Sequence, residues 1–317
     1  MTDWAARAER WGGIRSDTVT VKGHEAAVLV AEEHAEGTPQ LLIHGLGGSS
    51  WNWVEVVRGL AVHGPVVAVD LPGFGATTVP RGGSARVPAN AAFVAAMVRA
   101  MGWDRVTLYG NSMGGVIATL VAAANRDLVD RLVLVDPALP APRSQQLRPQ
   151  GRSQARVALA GLPYIGSLAV RAGFRYRSAE RMVDDTIAGV YADPMAVLPE
   201  IRELFLERIA EARTMPWRLT ALSQAAESLI ALIVASRPLF RAVEAITAPT
   251  LLIWGDQDRL ITRAVIDGLL KRRPDWDLEV VPSSGHAPML ESPDAFLDAV
   301  ARWFAGAPTA DREAVAV

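Results

Sequence analysis

The chain has 317 residues, half of them apolar, with a formal net charge of -2 and no cysteine. That length can bury a large core in one or two domains. The near-neutral balance supplies neither a basic surface for nucleic acid nor an acidic tail. The absence of cysteine excludes disulfides, thiolate metal sites and cysteine nucleophiles, and it fits a cytoplasmic location. The first 17 residues carry charges throughout and no apolar core of signal-peptide length. No uninterrupted run of 18 apolar residues occurs, and the most apolar helical stretch, 228–235, is far shorter, so no membrane span is expected.

In chain order, 18–30 reads as a hairpin turning near Lys22-Gly23-His24, 41–43 as a short buried strand, and 51–62 as a helix. A strand follows at 66–69, then a helix over 88–101 with Pro88 at its start and Gly102 just past its end. Next come a strand at 106–109, a helix rich in small residues at 112–125, and a strand at 132–135. The alternation then stops: 137–246 contains helical patterns and loops, many arginines and no lysine. It resumes with a strand at 250–254, a helix at 262–271, a strand at 278–281 and a helix at 293–304, and the segment 306–317 reads as frayed. Strand alternating with helix implies a mostly parallel sheet covered on both faces. One α/β domain interrupted by a helical block accounts for the pattern, because buried strands on either side of the block need partners in one sheet.

Gly110-Asn111-Ser112-Met113-Gly114 matches G-x-S-x-G between a strand and a helix, the setting of a nucleophile elbow. The helix start offers free N–H groups and a positive dipole end, both favourable to an oxyanion beside Ser112. An ordinary serine N-cap is the competing reading. A nucleophile needs a base and an acid to orient it. Of the five histidines, His24 falls in the hairpin turn, His34 in a polar loop and His63 at a helix end before Gly64-Pro65, structural or surface places. His286, in Ser283-Ser284-Gly285-His286, directly follows the last strand and is the candidate base. Asp256 and Asp258 follow one strand end and Asp136 another, leaving three candidate acids.

Upstream, Ile43-His44-Gly45-Leu46-Gly47-Gly48-Ser49-Ser50 follows a strand. Gly45, Gly47 and Asp70 would suit a dinucleotide loop, but Ser50 stands at the third glycine and the reading leaves Ser112 and His286 without roles. The alternative is an oxyanion loop in which N–H groups near Leu46 join that of Met113, with His44 as an anchor inside the loop. Asn111 has two open roles: reaching the substrate or tolerating the turn.

Five marks in order resemble the α/β-hydrolase superfamily: His44-Gly45-Leu46-Gly47, Asp70-Leu71-Pro72-Gly73-Phe74-Gly75, Gly110-Asn111-Ser112-Met113-Gly114-Gly115, Trp254-Gly255-Asp256-Gln257-Asp258 and Gly285-His286. The resemblance covers about residues 18–304. It implies an α/β-hydrolase fold, a mostly parallel sheet with helices on both faces and a helical lid inserted after the sixth strand. The core would be 1–137 and 247–317 and the cap 138–246. It selects Asp258 over Asp256 as the acid and makes the run from Asp70 to Gly75 a structural turn. Ser112 stands where dehalogenases and epoxide hydrolases carry aspartate, which argues against both. The elbow also resembles hydrolases that cleave carbon–carbon bonds in ring-fission products, but Gly47-Gly48-Ser49 and Ala287 depart from their pattern. The expected activity is therefore that of a carboxylesterase or lipase-like hydrolase acting on a small or medium apolar ester. The catalytic residues would be Ser112, Asp258 and His286, the oxyanion hole would be formed at Leu46 and Met113, and no metal or organic cofactor is implied. A ring-fission hydrolase and a ligand-binding protein without turnover are the alternatives. Tyr164, Phe174, Tyr176, Tyr191, Phe205 and Trp217 in the lid are candidates for an acyl pocket, against the commoner role of aromatics as packing.

Overall fold

A computed structural model describes residues 3–141 and 165–306 of the chain. Its eight strands are β1 (Ile14–Val21), β2 (His24–Ala31), β3 (Gln40–Ile43), β4 (Val66–Val69), β5 (Val106–Asn111), β6 (Val129–Val135), β7 (Thr250–Gly255) and β8 (Asp277–Val281). They form one sheet in the order β1-β2-β4-β3-β5-β6-β7-β8. The β1–β2 hairpin turns at Lys22 and Gly23, both at positive φ, as a tight two-residue hairpin demands. β2 is antiparallel to β1 and β4, and every other pairing is parallel.

The short apolar runs are strands because their side chains alternate between two buried layers. Leu41 and Ile43 of β3, and Leu132 and Leu134 of β6, enter one apolar cluster. Leu42, Val133 and Val135 enter the other, on the opposite face. Burying each such side chain stabilises the fold by roughly 1.5–3 kcal/mol relative to exposure. Fully buried Gln40 is paired: it donates to the Leu60 and Gly64 carbonyls and accepts from the Tyr109 hydroxyl.

Between β6 and β7 the described elements are the helices Ile165–Tyr176, Ala179–Val190, Pro199–Thr214, Pro216–Ala235 and Arg237–Ala245 and the 3₁₀ turn Pro194–Ala196. This is the α/β-hydrolase fold with its helical insertion after the sixth strand. The proposed extent of the insertion, 138–246, ends with the helix Arg237–Ala245, which packs on the helix Met113–Ala124. Two expectations change. Residues 51–62 do not form one helix but two 3₁₀ turns, Ser50–Trp53 and Ala61–His63, around the short helix Val57–Leu60. Trp51, Trp53, Val54, Val56 and Val57 are all buried, so the apolar spacing marks a segment enclosed on several sides and not one helical face. The stretch Trp217–Ala235 is long and apolar enough, by length and composition, to cross a membrane. The expectation of no span rested on unbroken apolar runs and missed it. In the fold, Ala221, Ala225 and Leu229 of this helix are buried in the same cluster as the sheet. The segment 307–317 and Tyr164 lie outside the described residues.

Candidate active site

The site lies at the C-terminal ends of β5, β7 and β8, beside the loop after β3. The strand order reverses between β3 and β5, so this end is the crevice where ligands bind in open α/β sheets. β5 runs to Asn111, and the helix Met113–Ala124 starts two residues later. Ser112 alone makes the turn, at φ 54° and ψ -115°. That left-handed conformation is costly for a non-glycine residue and is held by its surroundings. Here the Ser112 N–H donates to the Val135 carbonyl, and the Ser112 carbonyl accepts from Gly115, Val116 and Ala138. The motif glycines are required by contact. A Cβ on Gly110 would lie 2.3 Å from the Gly114 carbonyl oxygen, and one on Gly114 would lie 2.3 Å from that of Ile43. Ser112 makes no side-chain cap bond to its helix, so an N-capping role does not account for it.

His286 and Asp258 are both buried, and His286 Nδ1 lies 2.7 Å from Asp258 Oδ2. Asp258 Oδ1 accepts from the Leu260 and Ile261 N–H groups at 2.6 and 3.1 Å. A carboxylate so fixed holds the proton of a neutral imidazole on Nδ1 and leaves Nε2 basic. Asp256 is exposed, so the two candidate acids that follow β7 are separated by burial. Asp136 is fully buried beside Asp258, and burial and that neighbour push its carboxyl well above the usual range.

Asn111 joins the nucleophile turn to the histidine loop. Its amide donates to the Val135 carbonyl at 3.2 Å and to the His286 carbonyl at 3.0 Å. Of its two open roles, the structure favours neither substrate contact nor mere tolerance of the turn; it is a bridge. The loop after β3 closes on the same point, since a Cβ on Gly45 would sit 3.2 Å from Ser112 Cβ. Leu46 is the next residue in that loop. Met113 is the first residue of its helix, so its N–H has no intrahelical acceptor.

The other candidates fall into structural places. His44 is fully buried, and burial pushes its pKa down. Its Nε2 accepts from the Leu71 N–H, so Nδ1 carries the proton and donates to the Gly45 carbonyl. It anchors the loop and has no nitrogen free for catalysis. Asp70 is buried, and its two oxygens accept from Ser50 N and Ala76 N, which ties the loop after β3 to the turn after β4 and gives this acid a structural place instead of a ribose contact. His24 bonds the Thr78 carbonyl and His63 stacks on Phe304. Of the lid aromatics, Tyr191 is buried, Phe205 packs edge-on against Trp51 and Tyr176 is exposed. No cluster of three metal-ligating side chains occurs among the described residues.

A second set of contacts was invisible in the sequence. Arg259 donates to the Ala188, Tyr191 and Ala192 carbonyls of the cap. Glu291 accepts from Ala192 N and Asp193 N on one oxygen and from Gly285 N on the other. The His286 N–H donates to the Val190 carbonyl at 2.6 Å. The loops carrying the acid and the histidine are thus both tied to the end of the helix Ala179–Val190.

The fold and this arrangement define an α/β enzyme class with its site at the strand ends beneath a helical cap. Residues 40–299 match the family model described as "Alpha/beta hydrolase family", and the chain belongs to that family. It is 26% identical over 301 residues to an esterase of Mycobacterium tuberculosis, covering 93% of this chain and 92% of the relative. It is 27% identical over 278 residues to the 2-hydroxy-6-oxo-6-(2'-aminophenyl)hexa-2,4-dienoic acid hydrolase of Metapseudomonas resinovorans, covering 84% of each. Among solved structures, a membrane phospholipase A described as a bacterial virulence factor superposes with a TM-score of 0.70 at 28% identity, over 95% of this chain and 90% of that one.

Proposed function

We propose that the chain is a serine hydrolase that cleaves a carboxylic ester of a small or medium apolar substrate through an acyl-enzyme. The observation that carries this reading is the buried His286–Asp258 pair, 2.7 Å apart, with the His286 carbonyl joined by Asn111 to the turn that holds Ser112. Ser112 attacks the ester carbonyl while His286 Nε2 takes its proton, and Asp258 stabilises the imidazolium that forms. The N–H groups of Leu46 and Met113 receive the developing oxyanion. Protonated His286 then releases the alcohol, and a water activated by His286 hydrolyses the acyl-enzyme. These steps need no metal or organic cofactor. The esterase relative, matched over nearly the whole of both chains, supports ester cleavage.

The ring-fission hydrolase relative supports a second reading, cleavage of a carbon–carbon bond by the same residues. A panel of short-chain p-nitrophenyl esters and ring-fission products separates the two. We expect ester turnover that falls on the order of 10⁴-fold or more in Ser112→Ala. A fluorophosphonate should add covalently to Ser112, read by mass spectrometry. Full activity in Ser112→Ala would overturn both readings, and ligand binding without turnover would leave a binding protein.

A further inference from the structure

Asp136 is a buried carboxyl that the proposed chemistry does not use. It follows β6 in a left-handed conformation, φ 44°, and is 0% exposed. Its Oδ1 accepts from the Gly255 N–H at 3.2 Å, while its buried Oδ2 meets no N–H or O–H donor. β6 pairs with β7 at Val135 and Ile253, which brings the loop carrying Asp258 beside Asp136. Burial and the Asp258 carboxylate beside it both disfavour a charge on Asp136. The donors around them decide where it rests. Asp258 receives the N–H groups of Leu260 and Ile261 and faces His286 Nδ1, whereas Asp136 receives one longer bond from Gly255. The charge is best stabilised on Asp258 and the proton on Asp136.

We propose that Asp136 is a neutral carboxyl whose Oδ2–H donates to the Asp258 carboxylate, making it a positioning residue for the acid of the Asp258–His286 pair. Its catalytic consequence rests on the serine hydrolase reading; its protonation state does not. The proton satisfies the one unpartnered oxygen and removes a second negative charge from beside the imidazole. The ionisable groups facing Asp136 are Asp258 from the loop after β7 and, through it, His286 from the loop after β8. The adjoining helix Met113–Ala124 carries no ionisable side chain.

Two substitutions and a spectrum test this. Asp136→Asn keeps an acceptor for Gly255 and a donor for Asp258, and asparagine tolerates positive φ. Asp136→Gly removes the donor without straining the backbone. Infrared spectroscopy of the wild type at neutral pH should show the carbonyl stretch of a protonated carboxyl, lost in Asp136→Asn. That variant should keep kcat and the acid limb of its pH profile. Asp136→Gly should lose about tenfold or more in kcat, with KM unchanged, since a bond to a charged group is lost. Its acid limb should move upward, because an Asp258 carboxylate without that donor holds the imidazolium more strongly. A merely structural role would leave the acid limb in place in both variants. A missing infrared band, or an Asp136→Asn variant as impaired as Asp136→Gly, overturns the proposal. Should the glycine variant not fold, the infrared band and Asp136→Asn decide it. If the Ser112 adduct fails to form while the band is present, it is the hydrolase reading that falls.

Discussion

Asn111 shows how one amide fixes the distance between two loops that the chain separates by 175 residues. Both of its N–H bonds end on backbone carbonyls, Val135 on the strand beside the elbow and His286 on the histidine loop. Val135 also accepts from the Ser112 N–H, so the elbow, β6 and His286 meet at one buried point. Asn111→Ala leaves the His286 carbonyl without this donor, and we expect a loss of about 1–3 kcal/mol in unfolding free energy. Asn111→Asp should be worse, because a carboxylate turns an acceptor toward two carbonyls. Urea unfolding ranks the variants, and an ester assay should show kcat falling more than KM. An aspartate variant as stable and active as the wild type would remove the bridge from the account.

At the scale of elements, the cap is fastened where the acid and histidine loops emerge. Glu291 accepts three backbone N–H groups, two from the cap and one from Gly285. Gly285 has no room for a Cβ, which would lie 2.3 Å from the Val190 carbonyl oxygen. Glu291→Gln replaces one accepting oxygen with an NH₂ and sets donor against donor. We expect about 2 kcal/mol lost locally and faster amide exchange at Gly285, Ala192 and Asp193, with Arg259→Ala having a smaller effect because that side chain is more exposed. Unchanged exchange in Glu291→Gln would mean that the cap is held elsewhere. These contacts show where sequence reading stops. Strands buried on both faces announce themselves as short apolar runs, and the serine turn and the histidine loop announce themselves through glycines at strand ends. Arg259 and Glu291 bond to backbone groups far away in the chain, and any residue type supplies a backbone carbonyl or N–H, so no pattern marks them. Asp136 was legible only as one acid among three, since its burial against Asp258 comes from two strand ends meeting in the sheet.

For the whole molecule, the helical block reads in sequence as an interruption, which suggests a separable lid. The packing joins it to both faces of the sheet. Val183, Ile187, Ile201 and Leu204 of the cap share an apolar cluster with Trp53 and Phe296 of the core. Ala221, Ala225 and Leu229 share the opposite cluster with Leu71 and Val116. The helix Pro216–Ala235 buries Ala221, Ala225 and Ala226 where the core approaches closely, as a Cβ on Gly73 would lie 2.5 Å from that of Ala221. Two clusters that each run through cap and core have no plane along which one part melts and leaves the other intact. Denaturant unfolding should therefore be a single transition, with tryptophan fluorescence and far-UV circular dichroism coincident. Ala225→Asp, which places a charge in the shared cluster, should lower the midpoint of both signals together by burying an unpaired carboxylate. If the dichroism signal instead splits and only its earlier step moves in Ala225→Asp, the cap is a folding unit of its own and the joint core is wrong.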